Sequence, residues 1–169
     1  IMVEAGTTTS LIGRRLFGRR DVHAVTNSML FVPYARSNPA LALTVVGGSF
    51  QPVTESLVGP IALRELEGFH VRLAFVGTDG FSLEHGMTTH LVEGAEIVRK
   101  MASCAEETIL LADSAKYGEV GFARVLGLED VTTVITDDGL PQSAVAELTE
   151  AGVDLRLVET NHPRRDHGE

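Results

Sequence analysis

The chain holds a single cysteine, Cys104, no tryptophan, and only 5% aromatic residues. One thiol cannot form an internal disulfide, and Cys104 sits in a helix-like stretch away from any cysteine–histidine spacing that would hold a metal. A disulfide scaffold and a zinc cluster are therefore excluded, and a cytoplasmic setting is expected. No apolar run reaches the length of a membrane span and no charged-then-apolar leader opens the chain, so no membrane partner is expected. Basic residues are scarce: 14 Lys and Arg against 23 Asp and Glu, a formal net charge of −9. Such a chain does not itself attract nucleic acid. The phosphate loop of nucleotide hydrolases, a Gly-x-Gly-x-x-Gly after the first strand and a Gly-x-Ser-x-Gly elbow are all missing. His23, His70 and His90 show no ligand spacing, and His85 has only Asp79 and Glu84 near it in sequence. Neither a metal nor a cofactor is expected.

What is present is regular. The 169 residues, 44% of them hydrophobic, suit one ordinary domain with a full core. Strand-like runs fall at 2–3, 22–26, 41–46, 71–76, 108–112, 131–136 and 153–158, with helix-like stretches between them at 8–17, 28–37, 55–67, 91–106, 121–126 and 143–151. Runs apolar on both faces and separated by helices indicate an α/β fold. The expectation is a mostly parallel, Rossmann-like sheet in three layers, flanked by helices. The domain is expected to span 1–160, with a polar, flexible tail at 161–169. No initiator Met precedes Ile1 and a core strand begins at once, so further sequence is expected upstream.

In an open α/β sheet, ligands bind beyond the carboxyl ends of the strands, and the unusual residues fall there. Gly6, Thr7, Thr8 and Thr9 follow the first strand, and Asn27 the second. Gly47 and Gly48 follow the third, Asp79 and Gly80 the fourth, leading on to His85 and Thr88. Lys116 follows the fifth, beside Asp113. Free backbone N–H groups and hydroxyls at a strand-to-helix turn suit an anion, above all a phosphate. Amide, hydroxyl and carboxylate groups suit the oxygens of a sugar. Each residue also has a plainer reading: Asn27 and the threonines as helix caps, Gly47-Gly48 and Asp79-Gly80 as turns, Lys116 as a solvated lysine.

Taken in order, Gly6-Thr7-Thr8-Thr9, Val25-Thr26-Asn27-Ser28, Gly47-Gly48, Ser56-Leu57-Val58-Gly59-Pro60, Gly77-Thr78-Asp79-Gly80, Gly86-Met87-Thr88-Thr89 and Asp113-Ser114-Ala115-Lys116-Tyr117-Gly118 resemble the effector-binding domain of the DeoR family of bacterial transcriptional regulators. The resemblance runs to about Val158. It implies the fold of ribose-5-phosphate isomerase, glucosamine-6-phosphate deaminase and CoA transferases, and the role of a sensor in a repressor of sugar or polyol catabolism. It further implies a phosphorylated sugar or polyol as effector, held by the Gly6–Thr9 loop, and operator DNA bound only through a winged helix-turn-helix upstream. A dimer or tetramer is expected of such a regulator, with Met29, Leu30 and Phe31 as one candidate surface and a buried helix as the alternative.

The family pattern also carries a pair of glutamates and a Val-Lys pair where this chain reads Glu93-Gly94 and Ile97-Val98. If the family lysine contacts ligand or a neighbouring subunit, that role is vacant at Val98. The mechanism expected is a sensor in which Lys116 supplies countercharge, Asp79, Asn27 and Thr88 orient hydroxyls, and the 78–89 segment closes. An isomerase or deaminase would instead need a positioned base, for which Asp79 and Glu93 are the candidates. A pure oligomerisation module with a vestigial cleft is the third reading.

Overall fold

A computed structural model of the chain describes residues 1–160, so the tail expected at 161–169 lies outside the described residues. The elements begin β1 (Met2–Val3), α1 (Thr7–Ser10), α2 (Ile12–Arg15), β2 (Val22–Thr26), α3 (Val32–Ser37) and β3 (Leu41–Val45). They continue β4 (Ser49–Gln51), β5 (Ser56–Val58), α4 (Pro60–Leu66), β6 (Val71–Val76), β7 (Gly80–Ser82), β8 (Gly86–Thr89) and α5 (Val92–Ser103). Last come β9 (Ala105–Leu111), β10 (Ala123–Arg124), β11 (Thr133–Asp137), α6 (Gln142–Glu150) and β12 (Leu155–Val158).

Each of the seven apolar runs contributes a strand to one sheet of order β12-β11-β9-β6-β1-β2-β3, and every neighbouring pair is parallel. Burial on both faces explains why the inner strands read as continuous apolar runs, whereas the edge strand β12 is largely exposed. In β1, Met2 packs into a cluster with Leu66 of α4 and Ile97 and Met101 of α5. Val3 points the other way, into a cluster with Ala24, Phe31 and Leu41 beneath α2 and α3. Both are fully buried, and a buried side chain of this size stabilises the fold by about 1.5–3 kcal/mol. The chain is therefore layered helix, sheet, helix.

Some stretches differ from the sequence reading. The helix expected at 8–17 is two four-residue turns, α1 and α2, joined through Leu11, itself right-handed helical. The stretch at 55–67 starts as strand β5, paired antiparallel with β4. Gly59 (φ 88°) then turns the chain before Pro60 opens α4. The stretch at 121–126 is not a helix: Ala123 and Arg124 pair with Thr89 and Thr88 of β8. Gly121 permits this, because a Cβ there would stand 2.6 Å from the Thr89 backbone. The 78–89 segment is no free loop either. It forms the β7–β8 hairpin, whose Phe81 and Met87 are fully buried, so closing it over a ligand would mean taking two large apolar side chains out of the core. Phe31, a candidate for a subunit surface, is wholly buried against Tyr34 with ring centroids 6.0 Å apart; Met29 stays exposed.

Candidate functional site

The sheet changes direction at β1. From it the chain builds outward through β2 and β3 on one side, and through β6, β9, β11 and β12 on the other. At such a reversal the connections leave β1 and β6 toward opposite faces, which opens a crevice beyond their carboxyl ends. A cleft of about 310 Å³ lies there, at the small end of the range for ligand pockets. Its walls come from Glu4–Thr9 after β1, Asn27 after β2, the β4–β5 hairpin, Gly77–Asp79 after β6, the start of α5, and Lys116 after β9.

Of the candidates named from sequence, Gly6, Thr7, Thr8, Thr9, Asn27, Asp79 and Lys116 line this cleft. The N–H groups of Gly6, Thr7, Thr8 and Thr9 meet no acceptor among the described residues, as the opening of a helix dictates. The Thr9 hydroxyl is already committed, donating to the carbonyls of Glu4 (2.7 Å) and Gly6 (3.0 Å). Asn27 is committed as well. Its Oδ1 accepts the Ala5 N–H at 3.0 Å and its Nδ2 donates to the Leu57 carbonyl at 3.2 Å. It therefore ties the loop after β1 to the β4–β5 hairpin.

Asp79 accepts from the Thr89 hydroxyl (2.7 Å) and the His90 N–H (2.9 Å) through one oxygen, Oδ2. Burial pushes its carboxyl up, but those two bonds and the charges of Lys116 and His90 outweigh it and hold the group below the usual carboxylate range. Lys116 reaches across from the turn after β9 and donates to the Thr78 carbonyl at 2.5 Å. It is the one cationic side chain among the described lining residues.

Gly47, Gly48, Gly80, His85 and Thr88 do not line the cleft. The Gly47 N–H donates to Glu65 at 2.6 Å. Gly48 (φ 147°) packs on the backbone of Val58, where a Cβ would stand 2.7 Å from the Val58 carbonyl. Gly80 and Thr88 are buried in the β7–β8 hairpin, their contacts spent on each other and on the Gly121 N–H. His85 stands 3.8 Å from Glu84 at the hairpin turn. Thr89, the neighbour of Thr88, lines the cleft in its stead. Val98, Glu93 and Gly94 also line it, so the position where the family pattern carries a lysine is an apolar patch of cleft wall. Arg99 and Lys100 point elsewhere, to the Arg124 carbonyl and to Glu67.

Sequence reasoning missed Glu4. It closes β1, lines the cleft, and through Oε2 accepts the N–H of Gly77 at 3.1 Å. Gly77 is the first residue after β6, so this bond spans the reversal point of the sheet. Burial pushes the Glu4 carboxyl up to about 8; the charge of Asp79 adds to the rise, against the Gly77 bond and the charge of Lys116. An acidic residue ending a buried strand, just before Ala-Gly-Thr, was the signal available in the sequence.

Among the described residues no helix is long and apolar enough to cross a membrane, and no group of three metal-ligating side chains occurs. Among solved structures the chain is similar to a variant of the decarboxylase AibA/AibB, at 16% identity and a TM-score of 0.45, over 92% of this chain and 88% of that one. That likeness is too distant to bear on function. The chain is 32% identical to an HTH-type transcriptional regulator of Haemophilus influenzae over 94% of its own length and 61% of that protein's. It is 32% identical to the regulator GlpR of Haloferax volcanii (90% and 60%) and 29% identical to the repressor GlcR of Bacillus subtilis (94% and 61%). It thus spans about three-fifths of the length of these relatives. Over residues 1–138 its sequence matches the family described as the DeoR C terminal sensor domain; the chain belongs to that family, one of regulator sensor domains rather than of enzymes.

Proposed function

We propose that the cleft is the receptor for a phosphorylated sugar or polyol, and that its occupancy modulates operator binding by a helix-turn-helix segment of the same regulator. One observation carries the reading: four successive N–H groups, from Gly6 to Thr9, meet no acceptor among the described residues in a cleft that also holds Lys116. A phosphoryl group supplies the acceptor oxygens these amides lack. Lys116 supplies countercharge, and Thr89 and Asp79 face the hydroxylated end. Asn27 positions the loop rather than contacting the sugar.

A ligand changes the output only if it favours one conformation, and a tenfold preference needs about 1.4 kcal/mol, within reach of one charge-assisted hydrogen bond. The wall most free to respond is the β4–β5 hairpin. It has two strands only, and Val53 at its turn is 87% exposed. A dimer or tetramer in the cytoplasm, with the DNA contacts made outside this chain, completes the proposal.

Calorimetric titration with ribose 5-phosphate, glucosamine 6-phosphate and glycerol 3-phosphate, beside unphosphorylated ribose, tests it. At least one phosphorylated compound is expected to bind, with affinity reduced tenfold or more in the Thr8→Val, Lys116→Ala double variant. Equal binding of ribose and its phosphate, or an unchanged affinity in that variant, overturns the reading.

A further inference from the structure

The cleft is acidic for a phosphate receptor. Glu4, Glu55, Asp79 and Glu93 line it, against Lys116 alone. Two of these, Glu55 and Glu93, are exposed and screened by water. Asp79 is held in place by Thr89 and His90. Glu4 differs, because it sits in the same corner as the unpaired amides: its Oε2 lies 3.4 Å from where a Cβ on Gly6 would stand and 3.2 Å from where one on Gly77 would stand. Glu4 and the Gly6–Thr9 amides thus line the same end of the cleft.

The partners of Glu4 leave one oxygen unused. Oε2 takes the Gly77 N–H, whereas Oε1 has no hydrogen-bond partner among the described residues and is not among the fully buried unpaired atoms, so it keeps access to solvent in a residue that lines the cleft. A carboxylate there would face the ligand's oxygens with lone pairs only and repel them. A carboxylic acid would donate one hydrogen bond to them.

We propose that Glu4 is a ligand-binding residue of this cleft, acting in its neutral form as a hydrogen-bond donor to the oxyanion held by the Gly6–Thr9 amides. The inference rests on the reading of the cleft as a phosphate receptor. Every group that faces Glu4 bears on the proton. The Asp79 charge, from the segment after β6, favours keeping it; the Gly77 N–H and the Lys116 charge, from the turn after β9, oppose it. Burial outweighs them and pushes the Glu4 carboxyl up to about 8, toward the neutral acid. Glu4 thus makes the site selective for acceptor-rich ligands while the carboxyl keeps its proton, and hostile to them once it is lost.

The test is calorimetric titration of the chain with ribose 5-phosphate, glucose 6-phosphate and glycerol 3-phosphate between pH 7 and 9.5. The phosphate monoester is already dianionic across that range, its second pKa being about 6. For the compound that binds, wild-type affinity is expected to fall above pH 8, approaching tenfold per unit. The Glu4→Gln variant, whose amide donates at every pH, is expected to bind with a flat profile and to exceed wild type at pH 9.5. Circular dichroism and thermal unfolding of the variant confirm that the fold is intact. A wild-type affinity that rises with pH, or a Glu4→Gln variant with the same slope as wild type, overturns the inference and leaves the receptor reading standing. Failure of all three compounds to bind wild type overturns the receptor reading and this inference with it.

Discussion

Asn27 accepts the Ala5 N–H at 3.0 Å and, from the same carboxamide, donates to Leu57 at 3.2 Å. The residue follows β2 directly, so one side chain fixes the exit of the central strand and the base of the hairpin that walls the cleft. Asn27 and Ala5 are both buried. Replacing Asn27 with Ala leaves the Ala5 N–H with no acceptor, which costs about 1–3 kcal/mol. Urea unfolding of Asn27→Ala should show that loss as a lower midpoint at an unchanged slope. Asn27→Asp, which keeps the acceptor and loses only the donor, should recover part of it at pH 4, where the added charge is partly neutralised.

The turn that presents Lys116 is anchored from β11. Asp137 accepts the Ser114 N–H at 2.7 Å, the Ser114 hydroxyl at 2.6 Å and the Gly139 N–H at 2.9 Å. Burial pushes this carboxyl up, but the bonds from Ser114 and Gly139 win and hold it below its ordinary value. A depressed folded-state pKa stabilises the protein above the unfolded pKa, about 3.9 for Asp, and the benefit fades as pH falls through the lower folded value. Wild type is therefore expected to exceed Asp137→Ala in stability at pH 6, with the gap shrinking as pH drops from 5 to 3. Urea midpoints across that range check it. The same variant should weaken sugar-phosphate binding without touching the ligand, since it frees the turn that carries Lys116.

Two glycines near the cleft should respond oppositely to Ala. Gly80 lies against the backbone of Glu119, where a Cβ would stand only 2.0 Å from the carbonyl oxygen. Gly94 lies within α5, where the nearest atoms to a Cβ are 3.9 Å away, an ordinary contact. Gly94→Ala removes backbone freedom from the unfolded chain and should stabilise by about 0.5–1 kcal/mol. Gly80→Ala must displace backbone and should lower the unfolding midpoint by several degrees or prevent folding. Thermal unfolding of the pair checks the contrast, and equal effects would show that the β7–β8 hairpin does not pack on the 118–122 segment as described.

What the sequence made legible follows from what is periodic in it. The strands of the central sheet are apolar on both faces, so runs such as Val71–Val76 and Leu41–Val45 stand out without knowledge of their neighbours. The hairpins do not. β4, β5 and β7 have three residues each, too few to establish an alternation, and their pairing partners are set by tertiary packing. The stretch around Gly121 read as a helix because its apolar residues are spaced for one; the backbone of Thr89 overrides that preference. That Gly6–Thr9, Asp79 and Lys116 line one cleft was legible because the rule that ligands sit beyond strand ends needs only the strand positions. Asn27 was found, but its role was not, since Ala5 and Leu57 become its partners only once β1, β2 and the hairpin are neighbours. Glu4 was passed over for the same reason: an acid at a strand end looks solvated until Gly77 is seen to lie against it.

The raised Glu4 carboxyl makes a stability prediction of the opposite sign to that of Asp137. A carboxyl whose folded pKa lies above its unfolded value, here about 8 against about 4.3, binds a proton more tightly in the native state. Its ionisation therefore opposes folding, and the penalty grows from about pH 4.3 to about pH 8, then levels. Glu4→Gln keeps the shape and a neutral group but has nothing to ionise. Relative to wild type its advantage should be smallest at pH 5, grow steadily toward pH 8, and hold at pH 9. Urea midpoints of the two proteins at these three values, without any ligand, decide it. A difference that is constant with pH would mean that the Glu4 carboxyl is ionised throughout. The bond to Gly77 would then be that of a carboxylate, solvated from the cleft, with no proton to offer an oxyanion.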